Sequence, residues 1–377
     1  EPRLMANGLC GTDNAWTKRR AFFLSMGQAY AQTLSPETEN TELSDSAVSG
    51  FAMSISTTSS DAQKWFDIGL AHTANFNHGE ADEAFRKAQN ADPLCAMCYW
   101  GGALVLGSNI NAPYNSDDGK RAFGLVQNAS AALSNATALE IELIGALEKR
   151  YVRNAEKQVT EDSKAYAGAM DRVARTFPDN DFVQILAAEA NMNTQPWNYW
   201  EANDLLPTGR TARTIELIET VLARNPEFAP AIHLYIHITE ASNDPYRAES
   251  FADRLAKQEL PLGHLVHMPS HTYYRIGRWE KSLNANIAAV AADEAYIAKG
   301  SVSAPYLYGY YPHNIHFAMT TALMAGKGDV ALEMAEKMKT ALPMLGDAPE
   351  PYAEWMAASY YQIALHFMTP EAVLVLP

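Results

Sequence analysis

The sequence predicts an all-α fold in which helix pairs repeat along the chain. Apolar residues recur at helical spacing through most of it, and one complete helix pair can be placed over residues 62–95. The same pattern returns later in the chain, with Ser282 following Ala248 by 34 residues. No segment shows the sustained alternation of apolar and polar residues that indicates β-strands. These observations favour a helical-repeat solenoid.

The helix pair over residues 62–95 sets the register for the others. Its first helix places one stripe at i, i+3, i+4 and i+7, formed by Trp65, Ile68, Gly69 and His72. Residues 75–79 supply a turn, and the second helix continues with Ala81, Phe85 and Ala88. The small Ala81 allows the two helices to approach closely, and Phe85 fills the space between them.

Further units align on this first one. We predict helix pairs that share its small residue and its turn over residues 232–261, 266–293 and 312–339. Weaker pairs occupy residues 96–134, 137–176 and 181–225, and one more helix covers residues 350–368. An insertion rich in tyrosine and glycine separates the last two strong units.

These residues carry a family resemblance. The arrangement W-x2-I-G-x2-H…A-x3-F-x2-A…P in residues 62–95 resembles a tetratricopeptide repeat (TPR). The phrases NFNHGEA, NINAP, HLYIH, HMPSHTY and YYPHN are similar to those of a widespread group of bacterial-type TPR proteins, over most of residues 55–340. The resemblance implies a TPR-like solenoid, curved and with a deep concave groove, but it implies no settled activity.

Two regions differ in character. Residues 61–377 form the expected TPR-like domain, whereas residues 1–60 are irregular, with one helix predicted over Trp16 to Leu34.

The net charge of −15 argues against nucleic acid as a partner, because polyanions require a basic surface. The longest apolar stretch, residues 96–107, is too short to span a bilayer, and we expect a soluble acidic protein.

Histidine is distributed unevenly. Seven of the ten histidines lie between His233 and His316, and they recur 18, 15 and 11 residues before the small residue of three units. Positions separated by three and four residues share one helix face, and stacked repeats bring equivalent positions together. In the TPR family such positions line the groove, so the resemblance implies that these side chains point inward.

This register predicts a transition-metal site, because imidazole is the commonest metal ligand and H-x3-H directs two nitrogens to one point. Copper, zinc and iron fit such ligands. One site with spare histidines, or two neighbouring sites, would account for the number. The expected ligands are His233, His237, His264, His267, His271, His313 and His316.

Two features qualify the register. Pro269 lies between His267 and His271, so the helix must either begin near Met268 or kink there. Glu240 follows His237 by three residues and is a candidate ligand, base or partner that orients the imidazole.

The function follows from this site in one of two ways. The metal would be bound, or used for chemistry on a small ligand as in a metal-dependent oxidoreductase or hydrolase. The alternative is a metal-free TPR scaffold that binds a peptide or protein in its groove, with the histidines as a hydrogen-bonding row.

The cysteines and the compartment leave alternatives open. Cys95 and Cys98 form one C-x-x-C, which indicates either a redox or metal pair or two small core residues at the start of a helix. Sequons at Asn128 and Asn135 are compatible with a secreted or periplasmic protein; otherwise the protein would be cytoplasmic.

Overall fold

The computed structural model describes residues 43–201, 206–300, 302–303, 305–341 and 351–376. The helix predicted over Trp16 to Leu34 lies outside these residues. The chain divides between Asn243 and Asp244 into two compact units, and we call its described parts the first unit and the second unit. No helix in the described ranges is both long and apolar enough to cross a bilayer.

The first unit is built from helices α1–α10 and one β-hairpin. Its helices are α1 Asp45–Val48, α2 Ser60–Ala74, α3 His78–Ala91, α4 Ala96–Val105, α5 Ser116–Ala131, α6 Ala138–Leu147, α7 Ser163–Thr176, α8 Asp181–Met192, α9 Thr211–Arg224 and α10 Ala229–Thr239. Short 3-10 turns cover Ser49–Phe51 and Leu133–Asn135. The hairpin pairs β1 Tyr151–Arg153 with β2 Val159–Glu161 in antiparallel register.

The second unit continues with helices only. After a 3-10 turn, Pro245–Ala248, come α11 Glu249–Leu255, α12 Gly263–His267, α13 Pro269–Arg275, α14 Trp279–Ile297, α15 Tyr311–Met324, α16 Gly328–Ala341, α17 Pro351–Phe367 and α18 Pro370–Val373. One π-helical turn, Tyr306–Tyr310, leads directly into α15. The core between α14, α15, α16 and α17 is formed by methionine, alanine, leucine and isoleucine side chains.

Consecutive antiparallel helices pack in pairs along each unit, which confirms the predicted all-α helical-repeat class. Phe85 on α3 shows how the sequence produces this packing. Its fully buried ring lies where α2 and α4 each carry a glycine, Gly69 and Gly101. A Cβ atom at Gly101 would lie 2.3 Å from Cε1 of Phe85, which is closer than any packed side chain allows. One ring therefore fills the space that two glycines leave open.

We expect Gly101→Ala to lower the free energy of unfolding by about 1–3 kcal/mol, because overpacking a filled core outweighs the gain in helix propensity. Gly124→Ala is the matched control, since Gly124 lies inside α5 and a Cβ there would meet nothing within 4 Å. That control should stabilise the protein by up to about 1 kcal/mol. Urea denaturation followed by circular dichroism measures both, and equal signs for the two variants would contradict the packing argument.

A β-hairpin and a disulfide bond are two local features that the helical pattern does not include. The pair predicted over residues 137–176 is interrupted by the β-hairpin, whose strands of three residues are too short to produce an alternating pattern. Cys95 and Cys98 form a disulfide bond at the start of α4, and both are fully buried. They are therefore bonded to each other and supply no thiolate to a metal.

Candidate metal centre

Three of the predicted histidines meet in the second unit. His267 ends α12, His271 lies on α13 and His313 lies in the first turn of α15. We call these three residues the histidine cluster. Met268 keeps helical dihedral angles, with φ −52° and ψ −40°, so the backbone remains helical from α12 into α13 across Pro269. His267 and His271 consequently stay one turn apart on the same face.

The Nε2 atoms of the histidine cluster converge. Nε2 of His267 lies 2.8 Å from Nε2 of His271 and 3.0 Å from Nε2 of His313. One ring nitrogen from each of the three lies within 4.8 Å of the other two. All three side chains are buried, with exposed fractions of 0%, 4% and 7% in chain order.

Asn286 on α14 sets the tautomer of His267. The Nδ2 group of Asn286 donates to the carbonyl oxygen of Ser282 at 2.8 Å, which turns Oδ1 of Asn286 toward His267. Nδ1 of His267 lies 2.6 Å from that Oδ1, so this hydrogen-bond network assigns the ring proton to Nδ1. Nε2 of His267 then carries the lone pair, and the Ser270 hydroxyl lies 3.2 Å from the same Nδ1.

An aromatic ring closes one side of the histidine cluster. The ring of Phe317 lies with its centroid 5.1 Å from His267, 4.8 Å from His271 and 5.6 Å from His313. A ring in contact with all three imidazoles excludes water from that side and keeps the surroundings apolar.

His313 is positioned through its neighbour in sequence. The carboxylate of Asp293 on α14 accepts hydrogen bonds from the Tyr306 hydroxyl at 2.5 Å and from Nδ2 of Asn314 at 2.8 Å. Burial raises the pKa of Asp293 to about 7. Because α14 also carries Asn286, a single helix fixes both His267 and the start of α15.

His264 and His316 lie outside the histidine cluster. The ring of His264 lies 4.9 Å from Tyr310 and 6.0 Å from His267. The ring of His316 packs 4.7 Å from Trp355 of α17, and burial lowers its pKa to about 4. The sequence register groups His316 with His267, but in the structure the residue one turn earlier, His313, takes the place beside it.

His233 and His237 lie together on α10 of the first unit, with ring centroids 4.9 Å apart. Nδ1 of His237 lies 3.4 Å from Oε1 of Glu240, the contact that suits an imidazole-orienting partner. Both imidazoles are buried. Within the first unit, these two residues therefore present adjacent buried imidazoles.

The sequence register also contains a signal for Asn286. In the first repeat Phe85 follows the small Ala81 by four residues, and Asn286 follows Ser282 by the same distance. Asn286 is fully buried, so an amide occupies a position that the first repeat fills with an apolar ring. A polar side chain at a core position of a repeat indicates that it forms a specific hydrogen bond.

Hydrogen bonds among the imidazoles account only partly for this arrangement. Nε2 of His267 has one lone pair in the ring plane, yet two other Nε2 atoms lie within hydrogen-bonding distance of it. One lone pair cannot accept two well-aligned hydrogen bonds. A cation that receives three lone pairs at one point matches the convergence better.

The comparisons with known proteins concern the fold. No family model matches the chain, and no curated protein matches it. A tetratricopeptide repeat protein from Parabacteroides merdae aligns at 11% identity over 80% of this chain and 98% of that one, with a TM-score of 0.34. Yeast Tom70 aligns at 13% identity over 96% and 74%, with a TM-score of 0.37.

The Cut9–Hcn1 structure aligns at 12% identity over 99% of this chain and 77% of that one, with a TM-score of 0.29. Because these identities and TM-scores are low, the fold is assigned from the helix pairs described above and not from these alignments. The chain has a TPR-like repeat fold. The TPR resemblance of its sequence phrases agrees with this fold and leaves the function open.

Proposed function

We propose that the second unit of this TPR-like protein binds a transition-metal ion through His267, His271 and His313. The observation that carries the proposal is the convergence of three buried Nε2 atoms, one of which is fixed as a lone-pair donor by Asn286. Metal-binding histidines typically donate their other ring N–H to an oxygen acceptor, as His267 does.

The distances suit a small cation. Nitrogen ligands 2.0–2.1 Å from a tetrahedral zinc ion lie roughly 3.3 Å from one another. The observed separations of 2.8 and 3.0 Å need only a small outward movement of the rings to reach that value. Zinc and copper are the best matches to three neutral imidazoles, and iron is the third candidate.

Three histidines leave at least one coordination position for water or a small ligand. In zinc enzymes this open position is where the metal activates water or polarises a substrate. A hydrolase would use it in that way, and an oxidoreductase would use a copper or iron ion that changes its oxidation state. Metal binding is the part of the proposal that the geometry supports directly.

The repeat fold favours a second candidate function. Helix pairs stacked in this way present extended surfaces to partners, so a metal-free scaffold that binds a peptide or protein is the alternative. The two candidates make opposite predictions about metal content, and one experiment separates them.

Elemental analysis of untagged protein, purified without chelator, tests the proposal. We expect at least one equivalent of zinc, copper or iron, and one equivalent fewer in His271→Ala/His313→Ala, because that variant keeps a single imidazole of the cluster. His366→Ala is the matched control, since His366 is exposed and its Nδ1 lies 2.7 Å from the carbonyl oxygen of Gln362, away from the three clustered histidines. Its metal content should equal that of the wild type.

If the protein is instead a metal-free scaffold, it should contain no stoichiometric zinc, copper or iron. A folded wild type that neither retains these metals nor binds added zinc or copper would exclude the metal proposal. Equal metal content in the double variant and the wild type would exclude this site. Circular dichroism of each variant establishes that loss of metal is not loss of fold.

A further inference from the structure

We infer that His233 and His237 bind a second transition-metal ion, in the first unit, beside a wall formed by Phe76 and Trp197. This site goes beyond the histidine cluster and depends on different helices and loops. Three features support it: the spacing of the two imidazoles, the acceptors at their Nδ1 atoms and the backbone conformation of the two aromatic residues.

The two imidazoles are presented as a chelating pair. His233 and His237 are four residues apart on α10, their exposed fractions are 1% and 2%, and a ring nitrogen of one lies within 4.8 Å of a ring nitrogen of the other. Residues at i and i+4 of a helix lie one above the other on the same face. An H-x3-H pair in this arrangement offers two nitrogen ligands to one ion.

The Nδ1 atoms face acceptors, which leaves Nε2 as the coordinating atom of each ring. Nδ1 of His233 lies 2.8 Å from the carbonyl oxygen of Ala74, at the end of α2. Nδ1 of His237 lies 3.4 Å from the carboxylate of Glu240. A backbone carbonyl and a carboxylate are the two acceptors that most often orient metal-binding histidines.

Phe76 occupies a backbone position that other repeats give to glycine. It lies five residues before Ala81, as Gly277 lies before Ser282 and Gly326 before Ala331. All three positions have positive φ, 57° for Phe76 and 76° and 68° for the glycines. A bulky side chain is strained in this conformation and glycine is not.

The side chain of Phe76 therefore has a use that offsets this strain. Its ring lies 4.5 Å from His233 and 6.1 Å from His237, nearly parallel to the latter. Such strained residues concentrate where a site must be held in one geometry. The strain at Phe76 thus points to the imidazole pair.

Trp197 repeats this pattern from a different loop. It also has positive φ, 62°, and its ring meets His237 edge-on at 5.2 Å. Its indole N–H donates to the carbonyl oxygen of Ile110 at 2.7 Å, which fixes the ring. Two strained aromatic residues on separate segments thus hold the same imidazole.

A zinc titration of the metal-free, untagged full chain against a chromophoric chelator tests the inference. We expect the wild type to bind two equivalents, and His233→Ala/His237→Ala and His271→Ala/His313→Ala one equivalent each. His233→Gln/His237→Gln accompanies the alanine variant, because glutamine preserves hydrogen-bonding groups and bulk if alanine disturbs the fold.

The outcomes separate the two sites. Two equivalents in a folded His233 and His237 variant would overturn the inference. A wild type with one equivalent that only His271→Ala/His313→Ala removes would also overturn it and leave the proposed function standing. One equivalent that only the His233 and His237 variants remove would support the inference and contradict the proposed function.

Discussion

His267→Ala is expected to weaken metal binding by the second unit more than any other single substitution, by at least about 100-fold. Its Nε2 is the atom that lies within 3.0 Å of both other Nε2 atoms, so its loss leaves two ligands without their common neighbour. Loss of an outer hydrogen bond to a metal-binding histidine costs roughly 10–100-fold in affinity. Removal of the ligand itself should exceed that range.

Asn286→Ala provides the graded comparison. It leaves all three imidazoles in place but removes the acceptor at Nδ1 of His267, so affinity should fall by roughly 10–100-fold. Competition titrations on the His233→Ala/His237→Ala background report this site alone. The thermal midpoint supplies a second readout, because a ligand at 100 times its Kd stabilises the folded state by about 2.7 kcal/mol.

The structure predicts that His267→Ala weakens metal binding more than Asn286→Ala does. If Asn286→Ala weakens binding as much as His267→Ala, the amide is itself a ligand or holds the cluster together. If neither changes the affinity, the convergence of the three rings is a packing arrangement. His316→Ala belongs in the same series, because its ring lies against Trp355 and its loss should leave the affinity unchanged.

The repeat architecture was predictable because each helix pair is a local structure. The stripe from Trp65 to His72, the turn after it and the small Ala81 all lie within one helix pair. The helices α2 and α3 lie where this pattern predicts them. The β-hairpin was not predictable, since its pairing depends on the turn between Arg153 and Val159 and on no repeated pattern.

The candidate site was predictable in its residue types but not in its final grouping. Offsets along the chain place histidines on one helix face, whereas the partner of each histidine depends on how far α15 is shifted and rotated against α12 and α13. A π-helical turn leads into α15, and Tyr306 of that turn donates a hydrogen bond to Asp293 of α14; no repeat offset encodes either feature. His313 rather than His316 therefore completes the cluster.

Arg150→Ala is the second substitution expected to have a large effect, and it acts on the stability of the first unit. The guanidinium is buried, and it donates to Glu161 at 2.6 Å, to the carbonyl of Leu104 at 3.1 Å and to that of Ser108 at 2.6 Å. Removal of one partner of a buried ion pair costs about 3–5 kcal/mol, because it leaves the other charge uncompensated.

The same guanidinium explains why Gly107 lacks a side chain. A Cβ there would lie 2.1 Å from the Arg150 Cζ atom, so Arg150 occupies the space at the end of α4. From this point the chain enters the loop whose Ile110 carbonyl receives the Trp197 indole. Loss of Arg150 should therefore release both the end of α4 and the loop that holds Trp197.

Arg121→Ala is the matched control for Arg150→Ala. Arg121 forms a two-point ion pair with Asp82, but its side chain is 45% exposed, so its loss should cost at most about 1 kcal/mol. Urea denaturation measures both variants. Arg150→Met/Glu161→Met, which removes both charges, should recover part of the stability that Arg150→Ala loses, because the uncompensated carboxylate is the larger part of the cost. Equal losses for Arg150→Ala and Arg121→Ala would show that the buried network contributes no more than a surface pair.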